Sequence, residues 1–160
     1  MNKANFDPKY LAEIEPICRR IAKAIFAKEG IVVKDGTKYG VDQLLYRDDE
    51  LYAFLELEYA EDRFVNGEYT SFVWHGISIP QRKEKFFKME RPCWWMNFSQ
   101  NLNHYVILRG DFILKYGKLQ FYKPSNNTKG EWFYIIPMVI KGVNINKIPK
   151  DLRDQAILFP

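Results

Sequence analysis

The sequence predicts an α+β fold with an α/β-type core: a mixed β-sheet carrying an N-terminal helix, as one domain over residues 1–160. Three observations predict it. Apolar residues recur at helical spacing from Tyr10 to about Lys28, and apolar and polar residues alternate in period two from Leu51 to Tyr59. Further short runs rich in aromatic and β-branched residues then follow, bounded by Gly, Pro and Asn, with no internal repeat or interdomain linker.

In chain order, Asp7-Pro8 reads as an N-cap followed by proline at the first helical position. The apolar face of the helix runs through Leu11, Ile14, Ile17, Cys18, Ile21, Ala22 and Ile25, and Gly30 is its expected stop. Pro16 either kinks this helix or divides it in two. Ile31 to Val33 reads as a short strand, with Asp35-Gly36 as the turn after it. Tyr39 to Tyr46 is expected to be a strand with Val41 and Leu45 on one side and Asp42, Leu44 and Tyr46 on the other. Arg47 to Glu50 forms a polar turn. The clearest strand follows, with Ala53, Leu55, Leu57 and Tyr59 on one face and Tyr52, Phe54, Glu56 and Glu58 on the other. Tyr69 to Ile79 suits either extended or helical structure, and Pro80 opens a helix with a basic side through Lys88. Cys93–Phe98, Tyr105–Leu108 and Asp111–Leu114 read as strands, Lys118–Tyr122 and Trp132–Ile140 as strands closing the sheet, Pro124–Gly130 as an exposed loop, and Ile148–Ile157 as a terminal helix.

Composition narrows the class. Hydrophobic residues make up 47% and charged residues 28%, the balance of a folded globular chain rather than a disordered one. No apolar run approaches the roughly 20 residues that span a bilayer. The N-terminal segment also lacks an apolar signal, so a cytoplasmic protein without a membrane partner is expected. Cys18 and Cys93 lack metal-ligand spacing and read as buried thiols. Residues 1–80 carry 10 Lys/Arg against 14 Asp/Glu, and residues 81–160 carry 14 against 6. An acidic half holding a site and a basic half holding a surface suit a polyanionic partner reached through metal ions.

The chemistry concentrates on the hairpin. Glu56 and Glu58 lie two apart on one strand and so project from one face, and Asp42 lies on the strand before. Leu44 and Phe54 share that face, so it is not fully solvated, and three acids there repel one another unless a cation holds them. Asp42, Glu56 and Glu58 are therefore the candidate ligands for Mg²⁺ or Mn²⁺, which favour carboxylate and water oxygens. Solvated acids, or acids matched by Lys or Arg across the ladder, are the competing account.

Gly40-Val41-Asp42, a hairpin turn, then Glu56-Leu57-Glu58 resembles the core of the PD-(D/E)XK nuclease superfamily. The resemblance covers about the first ninety residues and implies a restriction-endonuclease-like fold and phosphodiester hydrolysis. Val41 stands where the family often has Pro, and Glu58 where Lys is usual, as Glu is in some restriction endonucleases of the superfamily. Lys83 or Lys85, on the later basic segment, is a candidate substitute for the displaced lysine on sequence proximity alone. The resemblance also implies an acid from the first helix, with Glu13 preferred over Glu15 because it shares the face of Ile17 and Ala24; surface acids favoured near a helix N-terminus are the alternative for both.

Arg82, Lys83, Lys85 and Lys88, with Arg91, form a candidate phosphate-binding surface, a solvated helix face being the alternative. Trp94, Trp95, Phe98, Trp132 and Phe133 suit either a core or base stacking. His75 is a candidate base beside the site; His104 is isolated, and a structural role is the alternative for each. The expectation that follows is a Mg²⁺-dependent endonuclease of phage or junction-resolving type, a monomer or homodimer, acting on DNA. Its rivals are a non-catalytic nucleic-acid-binding module on the same fold and a phage-type protein-interaction or inhibitor protein.

Overall fold

A computed structural model describes residues 8–36, 40–59, 64–65, 68–69, 76–99, 102–123, 129–137 and 140–158. Its elements are α1 (Pro8–Ala27), β1 (Val32–Asp35), β2 (Gln43–Arg47), β3 (Glu50–Tyr59), β4 (Phe64–Val65), β5 (Glu68–Tyr69) and β6 (Gly76–Pro80). A 3-10 turn (Gln81–Lys83) leads into α2 (Glu84–Phe87), β7 (Cys93–Phe98), β8 (His104–Arg109) and α3 (Gly110–Tyr116). Then come β9 (Lys118–Tyr122), β10 (Glu131–Pro137), β11 (Ile145–Lys147) and α4 (Lys150–Leu158).

The fold is α+β. A six-stranded sheet runs in the order β1-β2-β3-β7-β8-β11, and a three-stranded sheet in the order β6-β10-β9. The larger sheet is mixed because β3 pairs with β7 in parallel while its other pairs are antiparallel. Both faces of this sheet are covered. On one, α1 and α4 bury Cys18, Ile21, Phe26 and Leu152 against Leu45, Leu55, Met96 and Phe98. On the other, the smaller sheet with α2 and α3 buries Ile77, Ile79, Phe87, Ile113 and Ile136 against Leu44, Phe54, Trp95 and Val106.

Helix α1 is unbroken, with Pro16 inside it. The residue alternation read along β3 holds: Leu55 faces the α1 layer and Phe54 the opposite one. Tyr52 departs from it, because the ladder passes from Leu45↔Ala53 to Tyr46↔Leu51 through a bulge and Tyr52 packs with the α1 side. Val41 also departs. Strand β2 begins at Gln43, and Val41 joins Leu44 in the second core instead of Leu45 in the first.

Asp48 and Asp49 turn the β2–β3 hairpin with φ of 51° and 63°, both left-handed, as a two-residue turn demands. An aspartate tolerates this conformation but is strained by it. Asp49→Gly should stabilise the chain by about 0.5 kcal/mol, strain relief exceeding the extra chain entropy of glycine, as a denaturant midpoint would register.

Three differences from the sequence reading concern the second half. Asp111–Leu114 is helical, within α3, and not a strand. Phe112 and Tyr116, one turn apart, stack at 4.7 Å, and Asp111 Oδ1 accepts the Phe112 N–H at 2.8 Å. Those helical contacts prevail over a run too short for periodicity to classify. Strands β9 and β10 build the separate smaller sheet with β6 rather than closing the large one. The helix after Pro80 is a 3-10 turn followed by one turn of α2, and Pro80 itself pairs with Phe133 as the last residue of β6.

Candidate functional site

The buried end of the hairpin carries the chemistry. Asp42 lies in the bend just before β2, and Glu56 faces the layer of Phe54 and Trp95, with 1% of its surface exposed. Two backbone N–H groups, one from Asp42 and one from Leu57, seat the acids. The Asp42 N–H donates to Glu56 Oε1 at 3.0 Å, and the Leu57 N–H donates to Asp42 Oδ2 at 2.8 Å. This reciprocal pair locks the two carboxylates beside each other where β2 begins.

Lys83 completes the group. The 3-10 turn after β6 brings its Nζ onto Glu56 Oε2 in a buried ion pair, with the lysine side chain 16% exposed. Burial pushes the Glu56 carboxyl upward, and Lys83 holds that rise in check. For Lys83, burial alone would lower the pKa, but the hydrogen bond and charge of Glu56, with the charges of Asp42 and Glu58, carry it upward instead. Lys83 is therefore an ammonium at neutral pH, a donor and a charge rather than a base.

Glu58 is turned elsewhere. It is half-buried on the same face, and Trp95 on the parallel neighbour β7 donates its indole N–H to Glu58 Oε2 at 2.9 Å. Asn97, aligned with Glu58, is fully buried, and its amide N and O have no hydrogen-bond partner among the described residues. Such orphaned groups are uncommon in a protein interior.

Arg19 was not among the residues singled out from sequence. Its Nη1 donates to the Asp42 carbonyl at 2.8 Å and to Asp35 Oδ1 at 2.9 Å, and its Nη2 reaches Glu15 at 2.9 Å and stands 3.9 Å from Asp42 Oδ1. The signal available beforehand was its i,i+4 spacing from Glu15. Glu15 is thus tied to Asp42 through Arg19, whereas Glu13 is exposed on α1. A cleft of about 260 Å³ opens at Asp42, lined by Arg19, Asp35, Gly36 and Gly40. A neighbouring groove of about 430 Å³ shares Arg19 and Asp35 with it and continues past Arg20, Lys23 and Lys34.

Of the other basic candidates, Arg82, Lys85 and Lys88 are exposed; Arg82 pairs with Glu131 and Lys88 with Glu84, while Lys85 lies over the Phe86 ring. Trp95 and Phe98 are core residues, Trp94 and Phe133 are half-buried, and Trp132 is exposed. His104 is half-buried, and His75 lies outside the described residues. Burial pushes the Cys18 and Cys93 thiols up to about 12, which leaves them unreactive.

Compared with protein-family models, curated proteins and solved structures, the chain matches none. Function therefore rests on the site's own chemistry.

Among the described residues no group of three or more His, Cys, Asp or Glu converges on one point. Asp42 and Glu56 remain as two adjacent hard-oxygen donors, with the orphaned Asn97 amide on the same face as Glu56 and Glu58. That set fits Mg²⁺, which retains several waters and is commonly held by one or two carboxylates.

Proposed function

We propose that the protein is a metal-dependent phosphodiesterase that cuts DNA, with Asp42, Glu56 and Lys83 at its centre. The observation that carries this reading is Lys83 seated on Glu56 beside Asp42: two acids and a lysine in one buried cluster, the lysine arriving from another part of the chain. Further support comes from the order of elements, α1 before the β2–β3 hairpin and further strands and helices after it, which suits the PD-(D/E)XK resemblance.

Asp42 and Glu56 would hold Mg²⁺, which when bound supplies charge stabilisation at a phosphoryl oxygen and an activated water. Lys83 donates to a phosphate oxygen or holds the water in place, since its charge persists at neutral pH. Arg19 fixes Asp42 by its carbonyl, and the groove of Arg20, Lys23 and Lys34 offers positive charge to the backbone leading into the cleft. Glu58, held by Trp95, contributes negative charge toward Lys83.

The test is cleavage of supercoiled plasmid and of forked and four-way DNA with Mg²⁺ or Mn²⁺. Wild type should cut, and Glu56→Ala should cut at least about a hundredfold more slowly while still binding. If both bind DNA and both are equally inert, the enzyme reading fails. A non-catalytic nucleic-acid-binding module would then stand, a reading favoured by the protein partners that Asp42, Glu56 and Glu58 already have.

A further inference from the structure

Strands β9 and β10 extend an apolar face beyond the core. Their register sets Tyr134 opposite both Ile79 and Leu119, and Trp132 opposite Phe121, so Leu119, Phe121, Tyr134 and Trp132 share the inward face. Ile79 is fully buried and Tyr134 nearly so, but Leu119 is 44% exposed, Phe121 50% and Trp132 47%. Solvated side chains this large are unusual when three lie together.

The aromatic pair is held in place. The Phe121 and Trp132 rings lie 5.4 Å apart, tilted at 57°. Phe121 lies over the backbone of Gly130, where an added Cβ would fall 2.1 Å from the ring. The glycine is what lets the ring lie there.

Charge indicates the occupant. Residues 112–133 contain Lys115, Lys118, Lys123 and Lys129 against Glu131 alone, and Arg82 pairs with Glu131. A second copy meeting this face along the edge strand β9 would gather like charges at one seam, and lysines on an edge strand oppose sheet extension. A polyanion with exposed flat rings suits aromatics that end on Lys123 along their own face of β9, with Lys118 at the same strand's edge. The patch also adjoins the turn that delivers Lys83: Phe133 pairs with Pro80, and Tyr134 donates to Glu84 at 2.8 Å.

We infer that Phe121 and Trp132 form a stacking platform for unpaired bases of a nucleic-acid strand, beside the Lys83–Glu56 centre. The inference rests on the phosphodiesterase reading and adds to it a preference for substrates with single-stranded segments.

The experiment measures binding of the full chain to an oligodeoxythymidylate and to a duplex of equal length, in EDTA so that cleavage does not intervene. Phe121→Ala/Trp132→Ala should weaken single-strand binding tenfold or more and leave duplex binding within about twofold. Lys118→Glu/Lys123→Glu, which leaves the rings intact, should weaken single-strand binding and lower its salt dependence. Thermal melting verifies that each variant is folded. Equal single-strand affinity in wild type and the aromatic variant overturns the platform, as does a wild-type dimer that the aromatic variant converts to monomer. Neither result touches the phosphodiesterase reading, which stands or falls on metal-dependent cleavage by wild type against Glu56→Ala.

Discussion

Lys83→Met should lower the unfolding free energy by about 3–5 kcal/mol at pH 7, measured by urea denaturation, the range for stripping one partner from a buried ion pair. Glu56 is 1% exposed and would lose the ammonium that pairs with it. The deficit should depend on pH. Burial already pushes the Glu56 pKa above its ordinary 4.5, and removing Lys83 leaves that burial unopposed. The folded variant then binds a proton that the unfolded chain releases, so its stability rises as pH falls through the raised pKa toward 4.5. The gap between variant and wild type should narrow as pH falls toward the ordinary carboxylate range. Wild type has the opposite signature at the alkaline end. The Lys83 contribution is fully present below the ordinary 10.5 and is lost as pH rises through the higher folded value. Glu56→Gln/Lys83→Met keeps an acceptor for the Asp42 N–H without the charge and should recover much of the loss. An unchanged midpoint in Lys83→Met would show that the pair does not bear on stability.

Gly36→Ala should cost about 1–3 kcal/mol, as overpacking does, and on the proposed phosphodiesterase reading should slow DNA cleavage about a hundredfold. A Cβ at Gly36 would stand 2.3 Å from the Val41 carbonyl oxygen and 3.1 Å from the Gln43 nitrogen, both backbone atoms. The Gly36 N–H also donates to the Asp42 carbonyl at 3.1 Å. A methyl group there pushes away the segment that places Asp42, so stability and activity should fall together. Thermal melting and plasmid nicking on the same preparation check it. Lost stability with unchanged cleavage would remove Asp42's placement from the mechanism.

Much of the scaffold was legible because it rests on local patterning. Period-two alternation along β3 set Leu55 and Glu56 on opposite faces, and helical spacing marked α1 to within a few residues. Cys93–Phe98 coincides with β7. The misreading of Asp111–Leu114 shows the limit: three apolar residues in a row fit a strand, and Tyr116, which contacts Phe112 one helical turn away, lies two residues past the run.

The sequence by itself determined that Glu56 and Glu58 share one face of a strand and that Asp42 stands near them at the open end of the same hairpin, because a strand's side-chain direction follows from its own residues. It also marked Lys83 and Lys85 together as candidates for a lysine from farther along the chain. The tertiary structure alone decided how these groups are arranged. Lys83 reaches Glu56 because β6 and its following turn pack across the sheet, and Glu58 is drawn to Trp95 by the parallel register of β3 on β7. Arg19 meets Asp42 because α1 crosses the opening of the hairpin. Each of these contacts joins residues more than twenty apart, whose meeting is set by packing of whole elements, while periodicity reports on one element at a time.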